Sequence, residues 1–270
     1  VRGLADCHIH SELCGHAQGT PDEMVRAIVD SGLYGAVMTE HLPLKPELDP
    51  DGIYSMRGDT DTLYVEELRD IRFDWDDLNL VIGAEADWIS TDPEWTHESV
   101  QSAREKGIEV VLGSIHFLDG WAFDDPDQIE LWDTKVISDV WDQYFTEWCK
   151  ATRSGLFDVM AHPDLVKKFG HIADNVIDYY DEASRVAAES GVLCEVSTAG
   201  WRKPVGQLYP DSLMIELLIQ RGVGLTMGSD AHAPGEVAFR FEDCAKELYA
   251  LGARQVAYPQ RERRVTWLEL

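Results

Sequence analysis

Side chains of the metal-ligand type recur at the C-terminal ends of short apolar runs along this chain, and that recurrence limits its fold more than any other feature. His8 and His10 end the run Leu4–Ile9, Glu40 and His41 follow Gly35–Thr39, and Glu85 follows Leu80–Ala84. His116 follows Val110–Ile115, and His162 follows Asp158–Ala161. Glu195 sits in Leu193–Val196, and Asp230 and His232 follow Gly224–Met227. Most of these runs are rich in Val, Ile and Leu without polar alternation, as in parallel strands covered on both faces. A weaker run, Gln255–Tyr258, is a candidate to close the set.

Amphipathic segments separate the runs. Thr20, Pro21 and Glu23 form a capping-box start, Met24, Ala27 and Ile28 continue it at helical spacing, and Gly32 stops it. Further helices are expected over 93–106, 135–153, 175–190, 211–221 and 236–251. Strands alternating with helices specify an α/β protein with right-handed crossovers. An open sheet would feed its site from two or three strands at a switch point. Here almost every strand delivers a ligand-type residue, so the reading is a TIM-like barrel with one site at its rim. No repeat, linker or low-complexity tract interrupts the chain, and residues 1–270 are read as one domain.

Composition narrows the function classes. With 50 acidic and 23 basic residues the formal charge is -27, a surface that repels phosphate backbones, so no nucleic-acid partner is expected. The main account of that excess is a solvated acidic surface that favours solubility. No apolar run approaches the ~20 residues of a membrane helix, and no signal-peptide pattern is visible at the N-terminus. Cys7, Cys14, Cys149, Cys194 and Cys244 form an odd set without a Cys-x-x-Cys, which fits a reducing cytoplasm rather than a disulfide framework. Oligomeric state is not legible.

Histidine carries the chemistry. His8, His10, His16, His41, His116, His162 and His232 all lie at or just past strand ends. One such histidine is commonly structural. Seven packed together with Glu85 and Asp230 leave ring nitrogens needing partners unless cations organise them. His8 and His10, like Asp230 and His232, are two residues apart and so share a strand face. Imidazole and carboxylate without thiolate suit Zn, Mn or Fe. The set exceeds what one ion of coordination about four to six takes, so two or three ions are implied. Clustered cations lower the pKa of bound water and neutralise phosphate oxygens, which points to phosphoester hydrolysis.

The strings DCHIHS, TEH, GAE, GSIHF, AHPDL and GSDAH resemble, in order, the motifs of the polymerase-and-histidinol-phosphatase (PHP) superfamily. CGHAQGTP, GSIHFLDGWAFD and STAGWRKP are similar to its histidinol-phosphate phosphatase branch. The similarity runs from about residue 4 to about residue 245. It implies a distorted (β/α)7 barrel, the PHP fold, holding a trinuclear site. By motif position the first metal takes His8, His10, Glu85 and Asp230. The second takes His16, His41 and His232, and the third takes Glu85, His116 and His162, with Glu85 bridging. The implied activity is hydrolysis of L-histidinol phosphate to L-histidinol and phosphate, through attack by a metal-bridging hydroxide. The alternative enzyme is a phosphoesterase of the same superfamily acting on another small phosphomonoester or a nucleotide. A non-catalytic, metal-stabilised binding protein is the alternative of another class.

Substrate contacts are read from loops. Arg202, after the sixth strand, is the first candidate to grip phosphate, because a guanidinium matches phosphate bidentately; Lys168 is the second. Glu12, Asp119 and Trp121 are candidates for the ammonium and imidazole of the substrate. Asp164 is read either as a support for a neighbouring ligand or as a turn residue. His97 and His171 match no motif and are expected on the surface, and Cys7 and Cys14 are read as small fillers.

Overall fold

A computed structural model of the chain describes residues 1–58, 60–75 and 77–270. Seven parallel strands lie in the order β1 (Ala5–Ile9), β2 (Gly35–His41), β3 (Asn79–Asp87), β4 (Val110–Ser114), β7 (Val159–Met160), β8 (Leu193–Ser197), β9 (Leu225–Gly228). The sheet curls into a nearly closed barrel. Its seam is made where Ile9 bridges Ala231 in parallel and the His10 N–H donates to the Ala231 carbonyl at 2.9 Å. The buried Asp6 carboxylate reinforces that seam, its Oδ1 accepting from Ser229 N–H (2.9 Å) and its Oδ2 from Ala238 N–H (2.9 Å). Burial pushes the Asp6 carboxyl up to about 6, against the pull of these bonds.

Helices α1 (Pro21–Asp30), α2 (Thr60–Asp74), α3 (Pro93–Lys106), α4 (Ile137–Arg153), α5 (Val176–Ser190), α6 (Ser212–Gln220) and α7 (Phe241–Ala250) connect the strands. The capping box forms as the sequence specifies: Thr20 accepts from Glu23 N–H while the Glu23 carboxylate accepts from Thr20 N–H at 2.9 Å. Met24, Val25 and Ile28 are then fully buried, each removal from water stabilising by about 1.5–3 kcal/mol. Helix α2 has no counterpart among the expected segments. Tyr64, Leu68 and Ile71 do form a buried face, but Leu63 (62% exposed) and Phe73 (85%) stand outside it and blur the apolar spacing.

The Gln255–Tyr258 run does not close the barrel. It forms β10 (Gln255–Pro259), which pairs antiparallel with β11 (Val265–Glu269). The Tyr258 hydroxyl donates to the carbonyls of Ala36 and Asn79, at the starts of β2 and β3, so this hairpin caps the end opposite the histidines. A short hairpin, β5 (Phe117–Leu118) with β6 (Trp121–Ala122), and a 3-10 stretch at Pro126–Thr134 lie between β4 and α4. No helix among the described residues is long and apolar enough to cross a membrane.

Candidate metal centre

At the C-terminal rim of the barrel, strands from the whole chain converge on Glu85. This carboxylate is buried in β3, with Oε2 3.0 Å from His8 Nε2, 3.3 Å from His10 Nε2 and 3.3 Å from His41 Nδ1. Its Oε1 lies 3.0 Å from His162 Nε2 and 3.8 Å from His116 Nε2, and also accepts from the Ser114 hydroxyl. Burial opposes its charge, yet the His8 and His41 imidazoles outweigh that and hold Glu85 well below the usual carboxylate range. Asp230 approaches from the β9 side, with Oδ1 3.3 Å from His10 Nε2 and 3.7 Å from His8 Nε2. His162 (φ 25°) and Asp230 (φ 50°) both adopt left-handed backbone, which non-glycine residues avoid. Such backbone strain collects at functional sites.

His16 and His232 complete the rim. The His16 Nδ1 faces the Ile53 carbonyl at 3.1 Å and the His232 Nδ1 faces the Asp230 carbonyl at 3.1 Å, so both Nδ1 atoms carry the proton. Their Nε2 atoms, 3.0 Å apart, then oppose two lone pairs. Neither ring gains a proton easily. Burial lowers both, and together with the neighbouring His10 imidazole it brings His232 to about 3. Among the described residues the buried His10 ring has no well-aligned hydrogen-bond partner at either nitrogen, although its Nε2 lies 3.3 Å from oxygens of both Glu85 and Asp230.

A cation resolves each of these mismatches, so the residues fit bound metal. Ligand atoms fall within 4.8 Å of one another in five groups: His8, His10, Asp230; His8, Glu85, His162; His41, Glu85, His116; His10, His41, His232; and Cys14, His16, His232. Every residue assigned to a metal by motif is therefore brought to this rim. Cys14 joins them in space as a buried thiol donating to the Ser11 carbonyl, and burial pushes it up to about 11, so it stays protonated.

An outer layer fixes the rings. Glu195 Oε1 takes His8 Nδ1 at 3.0 Å while its Oε2 accepts from His162 N–H at 2.7 Å. Asp87 Oδ1 takes His116 Nδ1 at 2.9 Å, and Glu40 accepts from Ser11 N–H at 3.0 Å beside His10. Such partners set tautomer and ring orientation. Glu40 and Glu195 stand among the ligand-type residues the strands deliver but carry no assigned role in the sequence, and Asp87 goes unnoticed there although it falls two residues after Glu85 on the same strand face. Gly228 makes room for Glu195: a Cβ there would lie 1.8 Å from Glu195 Oε1.

The rim opens into a cavity of about 350 Å³ lined by His16, His41, His116, His162 and His232, by Glu85 and Asp230, and by Tyr54, Phe117, Asp124, Asp125, Lys168, Lys203 and Tyr209; His8 and His10 lie buried beneath it. Lys168 is in place, its ammonium 3.0 Å from Asp124 Oδ2. Arg202 is not among the lining residues. Its Nη2 donates to the carbonyls of Ser229 (2.9 Å) and Asp230 (3.0 Å), its Nε pairs with Glu236 at 3.3 Å, and its guanidinium lies over Phe239. The backbone before His232 captures the arginine, leaving Lys168 and Lys203 as the cations at the cavity wall. Glu12 is exposed beside the first loop and Asp119 is exposed at the tip of the β5–β6 turn. Trp121 packs against Trp132 and Phe123 with the Lys135 ammonium over its ring. None of these three lines the cavity; Phe117 and Asp124 from the same loop do. His97 is exposed as expected, whereas His171 is half-buried and stacked 4.5 Å from Trp132. All five cysteines are free and buried.

The sequence profile of the PHP domain family matches residues 6–199. A Deinococcus radiodurans protein named "Probable histidinol-phosphatase" is 36% identical over 268 residues, covering 97% of this chain and 99% of its own. The Bacillus subtilis "Histidinol-phosphatase" is 24% identical, covering 88% and 96%. The crystal structure of histidinol phosphate phosphatase from Lactococcus lactis, complexed with zinc, L-histidinol and phosphate, superimposes with a TM-score of 0.80. That likeness, at 17% identity, spans 98% of this chain and 100% of the other, and shows a shared fold.

Proposed function

This chain belongs to the PHP domain family, and from that premise we propose that it hydrolyses L-histidinol phosphate to L-histidinol and phosphate as a metal-dependent phosphomonoesterase. The observation that carries the reading is the convergence of five imidazoles on the two oxygens of Glu85, at the floor of a cavity with both cationic and acidic walls. His8, His10, Glu85 and Asp230 would hold one ion, His16, His41 and His232 a second, and Glu85, His116 and His162 a third. Zinc, manganese and iron suit these nitrogen and oxygen donors. When bound, the ions polarise the phosphoryl group and supply a nucleophile near neutral pH.

The chain's own residues do the rest. Lys168 and Lys203 offer ammonium groups to the phosphoryl oxygens. Opposite charge serves the other end of the substrate: Asp125, whose Oδ2 accepts from the Tyr54 hydroxyl at 2.9 Å, faces the substrate's ammonium and imidazole. Glu195 and Asp87 keep His8 and His116 in the tautomer that leaves Nε2 free for metal. Five unpaired, buried cysteines suit a cytoplasmic enzyme, and the chain acts as a single domain.

A substrate panel tests the reading. Metal-loaded protein is expected to hydrolyse L-histidinol phosphate with a kcat/KM about a hundredfold or more above that for p-nitrophenyl phosphate, since a site that pairs both substrate ends gains several kcal/mol of discrimination. Equal values for the two esters overturn the specific assignment.

A further inference from the structure

Behind the Lys168 wall lies a second lysine that the proposed reaction does not use. Lys167 is 1% exposed, and its ammonium pairs at 2.7 Å with Oδ2 of the fully buried Asp164. That same Oδ2 accepts from the Tyr180 hydroxyl of α5 at 2.9 Å and from Asp211 N–H, just before α6, at 2.8 Å. A buried ion pair is a poor source of stability, because desolvating two charges offsets their attraction; apolar residues of similar volume often do as well or better. Its position suggests another purpose.

The pair spans one tight turn. Leu165 N–H donates to the His162 carbonyl (3.0 Å), Lys167 N–H to that of Asp164 (3.1 Å), and Lys168 N–H to that of Leu165 (2.9 Å). One end of this turn carries His162, aimed at Glu85, and the other carries Lys168, aimed into the cavity. The Lys168 carbonyl also accepts from Val205 N–H at 3.1 Å, tying the turn to the loop that bears Lys203.

We propose that the buried Lys167–Asp164 pair is a positioning device that braces this turn so that the Lys168 ammonium meets a phosphoryl group held at the metal centre. Asp164 is anchored to two helices, and the Lys167 ammonium is held beside it by charge. The next residue is thereby fixed in direction. The proposal rests on the reading of the cavity as a phosphate site, and the experiment separates the two.

Zinc-loaded protein is titrated with inorganic phosphate by calorimetry, with zinc content measured alongside. The double variant Asp164→Asn/Lys167→Met keeps volume and the acceptor for Tyr180 and Asp211 while removing both charges. It is expected to retain zinc and to bind phosphate about tenfold more weakly, a coupling typical of residues in contact. The gentler Tyr180→Phe variant, which loosens only the anchor of Asp164, is expected to lose about threefold. In a Lys168→Ala background both losses should vanish. Wild-type phosphate affinity in the double variant, an undiminished loss without Lys168, or zinc loss in step with phosphate loss overturns the positioning role. Should the double variant not fold, the Tyr180→Phe pair of measurements decides in the same way. If Lys168→Ala alone binds phosphate like wild type, the positioning role is overturned while the cavity reading stands; if the zinc-loaded wild type binds no phosphate, the cavity reading itself fails, and the proposal fails with it.

Discussion

His16 and His232, 216 residues apart in the chain, point their Nε2 atoms at one another across 3.0 Å. Each Nδ1 is committed to a backbone carbonyl, so two lone pairs meet where only a cation satisfies both. Removing metal with a chelator is therefore expected to lower Tm and abolish phosphate release, and zinc or manganese should restore both. At a free metal concentration a hundredfold above Kd, binding stabilises by about 2.7 kcal/mol. Thermal melts with and without chelator measure this, and identical curves contradict it.

Glu195 acts on metal through His8. Glu195→Gln keeps its volume but weakens the bond to His8 Nδ1, and metal affinity is expected to fall about 10–100-fold. Gly228→Ala should act in the same direction, because its new Cβ would collide with the Glu195 carboxylate. Competition with a chromogenic chelator reads both variants.

Lys168 and Arg202 are expected to fail differently. Lys168→Ala should raise KM for the phosphoester about tenfold or more with metal content intact, as loss of a charged hydrogen bond of about 1.5–3 kcal/mol predicts. Arg202→Ala frees the carbonyls of Ser229 and Asp230 and should lower Tm and metal content together. Matching effects of the two variants on KM alone would contradict this division.

At the opposite end of the barrel, Tyr258→Phe removes the hydroxyl that joins the β10–β11 hairpin to Ala36 and Asn79. A stability loss of about 1 kcal/mol in urea unfolding is expected, with kcat/KM unchanged. A comparable loss of activity would mean that the hairpin reaches the site.

The barrel and its rim were legible because both are written in local terms. Apolar runs mark the strands, and a period of two places His8 with His10 on one face. Loop chemistry was less legible because it depends on partners remote in the chain. Arg202 has the right type and place after β8, yet the carbonyls of Ser229 and Asp230 claim its donors. Asp119 and Trp121 lie in the right loop, but its tight β5–β6 turn sends Phe117 and Asp124 to the cavity instead. Helix α2 was hidden by Leu63 and Phe73, exposed apolar residues that local patterning cannot tell from core. Glu195 as a support for His8 becomes visible only once β8 stands beside the seam.

The most direct test is elemental analysis of metal bound per chain, in the wild type and in Glu85→Gln, after loading and removal of excess ion. The account predicts about three ions per wild-type chain, since the gathered imidazoles and carboxylates exceed what one ion of coordination about four to six can take. It also predicts that Glu85→Gln loses metal and turnover together. A wild-type chain that holds none or a single ion, or a Glu85→Gln protein with full metal and full turnover, contradicts it.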